Sequence, residues 1–209
     1  MKRRWFLLSL AAFFFSPHSL CAQGTSQPAA PSEMHSAYGE KLRIPFIPNS
    51  GKITDHFYRG AQPKLEGLSE LKKLGITTVV DLRLEDPAKI LWERQQVESL
   101  GMRFVNIPVD GWDPPTNEQV VQFLTLFRDD PSQKIFVHCH FGEDRTGVFV
   151  ATYRMAVEKW PTDQALKEMY FFGFNGRWHP SMISFVRDFP ARLTSAPALA
   201  PLRTPPPAH

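Results

Sequence analysis

Cysteine is scarce in this sequence. Only two of the 209 residues are cysteines, Cys21 near the start and Cys139 in the second half of the chain. Two thiols cannot build the disulfide framework of a small secreted domain. Cys139 stands between His138 and His140, but no second cluster of cysteine and histidine follows at the spacing of a zinc site. The fold must therefore depend on a hydrophobic core, and neither a metal nor a cofactor is predicted.

Long apolar runs and a strong charge of one sign are also lacking outside the N-terminus. The 24 basic residues nearly balance the 21 acidic ones, and no basic stripe indicates nucleic-acid binding. Basic residues 2–4 precede an apolar run at 5–15, which is shorter than the ~20 residues of a membrane span. This start predicts a signal peptide over residues 1–22, with export to the periplasm or the medium. The export route stays open between the general secretory and twin-arginine systems. We expect a monomer that has no contact with membranes after cleavage.

Composition divides the rest of the chain into three parts. Residues 23–40 are rich in serine, proline, alanine and glutamine, which predicts a flexible spacer. Residues 41–194 have the length of one domain, and we expect it to be the catalytic one. Residues 195–209 are rich in proline and show no hydrophobic periodicity, which predicts a disordered tail.

Helix-like and strand-like stretches alternate within residues 41–194. The β-branched run at 77–82, for example, fits a buried strand. This alternation predicts an α/β fold with a central, mostly parallel sheet of four to five strands flanked by helices. Ligands of such folds bind beyond the carboxyl ends of the strands, where Cys139 falls. Arg59 and Arg83 both lie at strand ends, where phosphate binding is one possible role, but for both we favour buried hydrogen-bonded or ion-paired roles.

The segment around Cys139 carries most of the chemical information. An apolar run at 135–137 leads into Cys139, and a helix-like stretch at 148–156 follows Arg145. A strand, a tight loop and a helix N-terminus turn backbone N–H groups inward, where the helix dipole adds partial positive charge. Arg145 can hold two oxygens with its planar fork, and the same surroundings favour a thiolate at Cys139. The segment therefore predicts a site for a tetrahedral oxyanion with a nucleophile at its base.

Residues 138–145 follow the pattern HCxxGxxR and continue with Thr-Gly. This pattern resembles the signature of the cysteine-dependent protein tyrosine and dual-specificity phosphatases. Segments 57–63 and 75–83 resemble the start of small bacterial and fungal dual-specificity-like phosphatases, and segment 106–110 resembles their acid-loop region, so the resemblance covers residues 53 to 190 approximately. With the predicted signal peptide, the chain resembles the small exported bacterial type. The resemblance implies a protein tyrosine phosphatase-like fold of the dual-specificity subtype. It also implies metal-independent hydrolysis of a phosphorylated protein or small phosphomonoester through a cysteinyl-phosphate.

The resemblance also assigns roles within the loop. Catalysis falls to Cys139 and Arg145, and His138 steadies the loop by hydrogen bonding. The phosphate-binding residues are implied to be His140, Phe141, Gly142, Glu143, Asp144 and Arg145. Thr146 stands where its hydroxyl is expected either to donate to the Cys139 sulfur or to cap the following helix. The carboxylates of Glu143 and Asp144 should disfavour highly phosphorylated ligands through like-charge repulsion.

The general acid is left with three candidates. Asp110 is preferred because it follows an Ile-Pro pair, as the acid does in the resembling family. Asp113 stays open because in some relatives the acid lies nearer to the prolines. Asp144 stays open because some bacterial tyrosine phosphatases with Asp-Arg-Thr-Gly offer a proton donor there. An acid of this kind typically contributes ~10²–10⁴-fold to the rate.

Three other functions compete with the leading hypothesis. One is an inositol polyphosphate phosphatase of the phytase-like type, which the acidic pair in the loop opposes. Another is a non-catalytic module that binds phosphorylated ligands, which the intact Cys139, Arg145 and candidate acids oppose. The third is a sulfurtransferase, whose loops also hold a cysteine thiolate. The His-Cys and Arg-Thr-Gly flanks of the loop favour a phosphatase.

Overall fold

The computed structural model describes residues 38–203. The predicted signal peptide at 1–22 and nearly all of the predicted spacer therefore lie outside the described residues. The elements are β1 (Glu40–Lys41), β2 (Gly51–Thr54), β3 (Phe57–Gly60), α1 (Leu65–Lys73), β4 (Thr78–Arg83), α2 (Pro87–Ser99), β5 (Arg103–Val109), α3 (Asn117–Asp129), β6 (Ile135–His138), α4 (Asp144–Ala156), α5 (Thr162–Phe171) and α6 (Pro180–Ser195). A 3-10 helix at Pro197–Arg203 follows.

The strands form one sheet in the order β1-β2-β3-β6-β4-β5. Strands β3, β6, β4 and β5 run parallel, while β1 and β2 extend the sheet as antiparallel edge strands. The predicted mostly parallel α/β fold is confirmed. Within residues 38–203 the sheet has six strands rather than the predicted four to five. The two edge strands escape prediction because β1 is two residues long and β2 four, too short to show a recognisable period.

The central strands are buried on both faces, which explains their continuous apolar runs. Val79 of β4 and Phe136 of β6 join the cluster that packs with α1 and α2. Their neighbours Val80 and Val137 point the other way, into the larger cluster beneath the other four helices. Alternation of adjacent side chains thus gives the sheet two hydrophobic layers.

Helix α4 is the centre of the larger layer. It contacts α3, α5, α6 and β6, and every residue from Arg145 to Met155 is buried. A helix with apolar residues on all sides belongs in the interior. Its N-terminus is therefore fixed at the carboxyl edge of the sheet, directly after the loop at 139–143.

The chain beyond α6 differs from the predicted disordered tail. The 3-10 helix packs on α3 and α6, and Leu199 within it is completely buried. Arg128 Nη1 also donates to the carbonyl oxygen of Pro201 at 2.8 Å. The apolar residues Leu199 and Leu202 recur every three positions, which is the period of a 3-10 helix, but the surrounding prolines hide that pattern. Residues 204–209 lie outside the described part of the chain.

Candidate active site

The loop between β6 and α4 leaves its backbone N–H groups unpaired. Among residues 38–203, no N–H of residues 140–145 donates to a protein acceptor. Gly142 has a φ of 69°, and a Cβ placed there would lie 2.3 Å from the carbonyl carbon of Gly60. Only glycine fits such a backbone at such a distance. The loop is thus a tight turn whose donors are available to a bound anion.

The carbonyl groups of the same loop are held from outside. The Cys139 carbonyl oxygen lies 3.2 Å from His138 Nδ1, and the His140 carbonyl oxygen accepts the N–H of Gln62 at 3.1 Å. The Gly142 carbonyl oxygen accepts from Asn49 Nδ2 at 3.0 Å and from Arg59 Nη2. The Glu143 carbonyl oxygen accepts the N–H of Gly147 at 2.8 Å. In a planar trans peptide the C=O and the following N–H point in opposite directions. Carbonyls fixed on the outer side therefore turn the N–H groups toward a common centre, as the sequence predicts.

Cys139 and Arg145 meet at that centre. Both line a cavity of about 260 Å³ with Trp112, Phe141 and His179 among its walls. Cys139 is 3% exposed, so its sulfur lies at the bottom of the cavity rather than on the surface. The thiol, the guanidinium and the N-terminus of α4 are thus brought together, which is the arrangement that the sequence predicts.

Arg145 is held in place by a carboxylate that the sequence analysis did not single out. Its Nη1 and Nη2 donate to Glu85 Oε2 and Oε1 at 2.8 and 2.9 Å, and Nη1 also reaches the Val109 carbonyl oxygen at 3.2 Å. The hydrogen bond from Arg145 lowers the pKa of Glu85 to about 2, so this carboxylate is ionised at neutral pH. The bidentate pair fixes the plane of the guanidinium, and its Nε–H is left for a ligand.

A family model described as "DSP-PTPase phosphatase fused to NAD+ Kinase" matches residues 48–183. The match spans more than half of the chain and includes the whole loop from β6 to α4. The chain belongs to this family. Its predicted relationship to the dual-specificity and tyrosine phosphatases is therefore confirmed.

Relatives of this phosphatase family include both short and long proteins. The dual specificity protein phosphatase TpbA of Pseudomonas aeruginosa is 29% identical over 174 residues, which is 81% of this chain and 73% of TpbA. The chloroplastic NAD kinase 2 of Arabidopsis thaliana is 32% identical over 101 residues, 47% of this chain but only 10% of that protein. A crystal structure of P. aeruginosa TpbA in complex with pTyr, a cysteine-to-serine variant, covers 78% of this chain and 99% of that one, with 24% identity and a TM-score of 0.63.

His138 steadies the phosphatase loop through a buried ionic network. Its Nε2 lies 3.0 Å from Glu93 Oε1, and Arg83 bridges Glu93 and Asp81 at 2.5 and 2.7 Å. Burial opposes a charged imidazole, but Glu93 and Asp81 outweigh it and raise the pKa of His138 to about 9. This shift favours the charged imidazolium, in which Nδ1–H is a donor for the Cys139 carbonyl oxygen 3.2 Å away. Arg83 is a buried ion-paired residue, as the sequence favours, and His138 lies within hydrogen-bond distance of the loop.

The same network contains the donors that a metal would need. Asp81, Glu93 and His138 offer ligand atoms within 4.8 Å of one another. Arg83, however, already forms ion pairs with both carboxylates. The same two carboxylates favour the protonated form of His138, and a protonated imidazole has no lone pair to give. The cluster is therefore arranged as an ion-pair network, and a cation would have to displace Arg83 to bind there.

Thr146 does not make the predicted contact. Its hydroxyl is buried and has no hydrogen-bond partner among the described residues, neither the Cys139 sulfur nor a backbone group. Helix α4 likewise begins without a side-chain cap. Thr146 is the third residue of α4 and is enclosed by the core behind the loop, which explains why neither predicted role is realised.

The structure places the three candidate acids in different surroundings. Asp110 lies on the exposed loop after β5, where its Oδ1 accepts the N–H of Trp112 at 2.8 Å. It lines a cavity of about 410 Å³ that shares Arg145 and Trp112 with the cavity of Cys139. Asp113 is exposed farther along this loop. Asp110 thus borders the site, and its Oδ2 takes no part in the hydrogen bond that Oδ1 accepts from Trp112.

Asp144 lines the cavity of Cys139 itself. Its Oδ2 lies 3.3 Å from His179 Nε2, and its Oδ1 accepts the N–H of Asn175 at 3.3 Å. The carboxylate is therefore engaged with the connection between α5 and α6. His179 also lies against the Trp112 ring, with 5.3 Å between centroids, so this connection supports the wall of the cavity.

Three residues of the site were not found from the sequence: Glu85, Asn49 and His179. Glu85 had a usable signal, because it lies two residues after the end of β4, at the carboxyl edge where α/β folds bind ligands. Asn49 and His179 lie in irregular connections, where no periodicity or motif marks them.

Proposed function

We propose that this protein hydrolyses aryl phosphomonoesters, phosphotyrosine above all, through a cysteinyl-phosphate intermediate. The observation that carries the proposal is the loop at 139–145, in which unpaired N–H groups surround the buried thiol of Cys139. The guanidinium of Arg145 lies beside the thiol and is held by Glu85. Such a loop matches the charge and shape of a phosphoryl group before it arrives, so little reorganisation is needed during reaction.

The proposed reaction has two displacements at phosphorus. The Cys139 thiolate attacks, a sulfur–phosphorus bond forms and the ester oxygen leaves with a proton from Asp110. Asp110 then takes a proton from water, whose oxygen attacks phosphorus and breaks the sulfur–phosphorus bond. Inorganic phosphate departs and the thiolate is restored. Arg145 and the loop N–H groups stabilise the equatorial oxygens in both steps.

The walls of the cavity support an aromatic substrate. Phe141 and Trp112 stand at its rim, 65% and 64% exposed, and His179 lies beneath Trp112. Aromatic rings pack favourably against the faces and edges of other rings. The carboxylates of Glu85 and Asp144 lie near the same cavity and oppose further phosphate groups on the ligand. The relative crystallised with pTyr is consistent with this substrate class.

Acid quenching of the enzyme during turnover tests the proposal. With p-nitrophenyl phosphate we expect steady release of p-nitrophenol that EDTA does not reduce and orthovanadate inhibits. A rapid quench followed by peptide mapping should find phosphate bound to the peptide that contains Cys139. Phosphate on another residue, or dependence of turnover on a divalent cation, contradicts the proposed mechanism.

The assignment of the acid is tested by the leaving group. Asp110→Asn should reduce turnover of an alkyl phosphate by ~10²–10⁴-fold, because the departing alkoxide then leaves without a proton. An aryl phosphate with an acidic phenol should lose far less. Asp144→Asn and Asp113→Asn are the matched controls. If Asp144→Asn shows the larger dependence on the leaving group, the acid is Asp144 and the assignment to Asp110 is wrong.

We also propose that the protein is exported. The basic start and apolar run of residues 1–15 support this, and they lie outside the described residues. Within residues 38–203, no helix is both long enough and apolar enough to cross a membrane. Fractionation of cells that produce the full chain tests the location directly, and recovery of the protein with the cytoplasm contradicts export.

A further inference from the structure

Arg59 is a buried cation behind residues 139–145, which form the phosphate loop. It lies on β3 and is completely inaccessible to solvent, with its guanidinium 4.2 Å above the ring of Phe172. Its Nη2 donates to the carbonyl oxygen of Gly142, whereas Nε and Nη1 have no hydrogen-bond partner among the described residues. The sequence favours a buried, hydrogen-bonded role for this residue, and in the structure its hydrogen bond goes to the peptide group between Gly142 and Glu143.

The other buried arginines of the described chain are neutralised by carboxylates. Arg83 pairs with Asp81 and Glu93, Arg145 with Glu85, and Arg154 with Glu158 and Glu168. Arg59 has no carboxylate within ion-pair distance in residues 38–203. A buried charge without a partner is unfavourable, so a residue of this kind calls for a function that offsets the loss of stability.

The charge of Arg59 is kept and acts on the site. Burial lowers the pKa of the Arg59 guanidinium to about 10, and Glu168, Cys139 and Glu143 act in the opposite direction. Arg59 therefore stays protonated at neutral pH. Two of the groups that interact with it electrostatically, Cys139 and Glu143, belong to the phosphate loop. Little solvent lies between a fully buried guanidinium and the loop, so screening of this charge is weak.

The contact with Gly142 determines where the next N–H points. Gly142 C=O receives Arg59 Nη2 and Asn49 Nδ2, and the N–H of Glu143 belongs to the same planar peptide. Because that N–H points opposite to the carbonyl, a peptide held in this way presents the Glu143 N–H to the centre of the loop. Rotation of the peptide would bring a carbonyl oxygen toward the phosphoryl group instead.

We propose that Arg59 is a positioning residue of the active site, which holds the Gly142–Glu143 peptide with its N–H toward the phosphoryl group and adds a second buried positive charge beneath it. The proposal rests on the proposed phosphatase function. It predicts that loss of Arg59 weakens binding of the phosphoryl group itself, whatever the rest of the substrate. Its effect should therefore appear with inorganic phosphate alone.

Protection of Cys139 from alkylation provides a readout that needs no turnover. The alkylation rate by iodoacetate is measured against inorganic phosphate concentration and pH, in a Cys21→Ser background so that Cys139 is the only thiol. For Arg59→Met, we expect half-protection to need about tenfold more phosphate, and we expect the midpoint of the alkylation rate against pH to move to higher pH.

The kcat for p-nitrophenyl phosphate should fall ~10²-fold in the same variant, which is the scale of one lost oxyanion donor. Arg59→Lys, which keeps the charge, should keep the alkylation profile near that of the parent but recover phosphate binding only in part.

Arg154→Met is the matched control, because Arg154 is also buried and stacked on an aromatic ring, at 4.0 Å from the Trp160 centroid, but does not contact the loop. We expect it to lower the melting temperature and leave phosphate protection unchanged. The proposal is overturned if phosphate protects Cys139 from alkylation in Arg59→Met as well as in the parent. It is also overturned if Arg154→Met weakens this protection as much as Arg59→Met does. If phosphate does not protect the parent protein at all, the proposed phosphatase function fails instead.

Discussion

Cys139→Ser is expected to lose essentially all phosphatase turnover while it keeps the ability to bind phosphate. A serine hydroxyl is far less acidic than a thiol, so it is a much weaker nucleophile at neutral pH. Loss of the nucleophile reduces kcat by ~10⁶ in a well-studied serine hydrolase, and we expect a fall of similar scale here. The loop N–H groups and Arg145 are unchanged, so affinity for inorganic phosphate should stay within a few-fold of the parent. Steady-state kinetics and calorimetric titration with phosphate measure the two properties separately.

Cys21→Ser provides the control for this experiment. Cys21 lies before the described residues and outside the family match at 48–183, so its substitution should leave kcat and KM unchanged. The oxygen-for-sulfur change is identical at the two positions. Retention of substantial turnover by Cys139→Ser would contradict the cysteinyl-phosphate mechanism, even if the phosphate loop binds its ligand as proposed.

The loop was predictable because its function depends on short-range features of the chain. A buried strand, a glycine at a forced φ and a helix start occur within about a dozen residues, and each has a local sequence signal. The parallel sheet followed from the same alternation of elements. Cys139 and Arg145 could therefore be placed at the carboxyl edge of the sheet from the sequence alone.

The supporting residues were harder to predict because they come from distant segments. Asn49 and Glu85 lie 93 and 60 positions before their partners in the loop, and only the folded chain brings them together. Thr146 shows the reverse case, a residue for which the sequence predicted contacts that the structure does not form. Its position suggested a contact with sulfur or a helix cap, but the burial of α4 encloses the hydroxyl where neither forms. Sequence patterns define which face of an element is buried, but not which atoms meet across two elements.

Arg145→Lys is expected to reduce kcat/KM by about 10³-fold, near the effect of losing a major transition-state cation or donor. The guanidinium of Arg145 satisfies Glu85 with Nη1 and Nη2 and still has its Nε–H for the phosphoryl group. A lysine offers one compact ammonium that cannot present two parallel donors to Glu85 and serve an equatorial oxygen as well. We expect most of the loss in kcat, because charge on the equatorial oxygens is greatest in the transition state.

Arg154→Lys separates this effect from the loss of a buried ion pair. Arg154 lies on the same helix, is buried and holds Glu168 in a bidentate pair, with Nη2–Oε1 at 2.7 Å and Nε–Oε2 at 3.0 Å. Both substitutions therefore remove a bidentate arginine–carboxylate pair from α4, once beside the cavity through Nη1 and Nη2 and once away from it through Nε and Nη2. Arg154→Lys should lower the melting temperature with kcat/KM within about twofold of the parent. Equal losses of kcat/KM in both variants would mean that α4 is disturbed as a whole, and Arg145 would then have no specific role in binding the phosphoryl group.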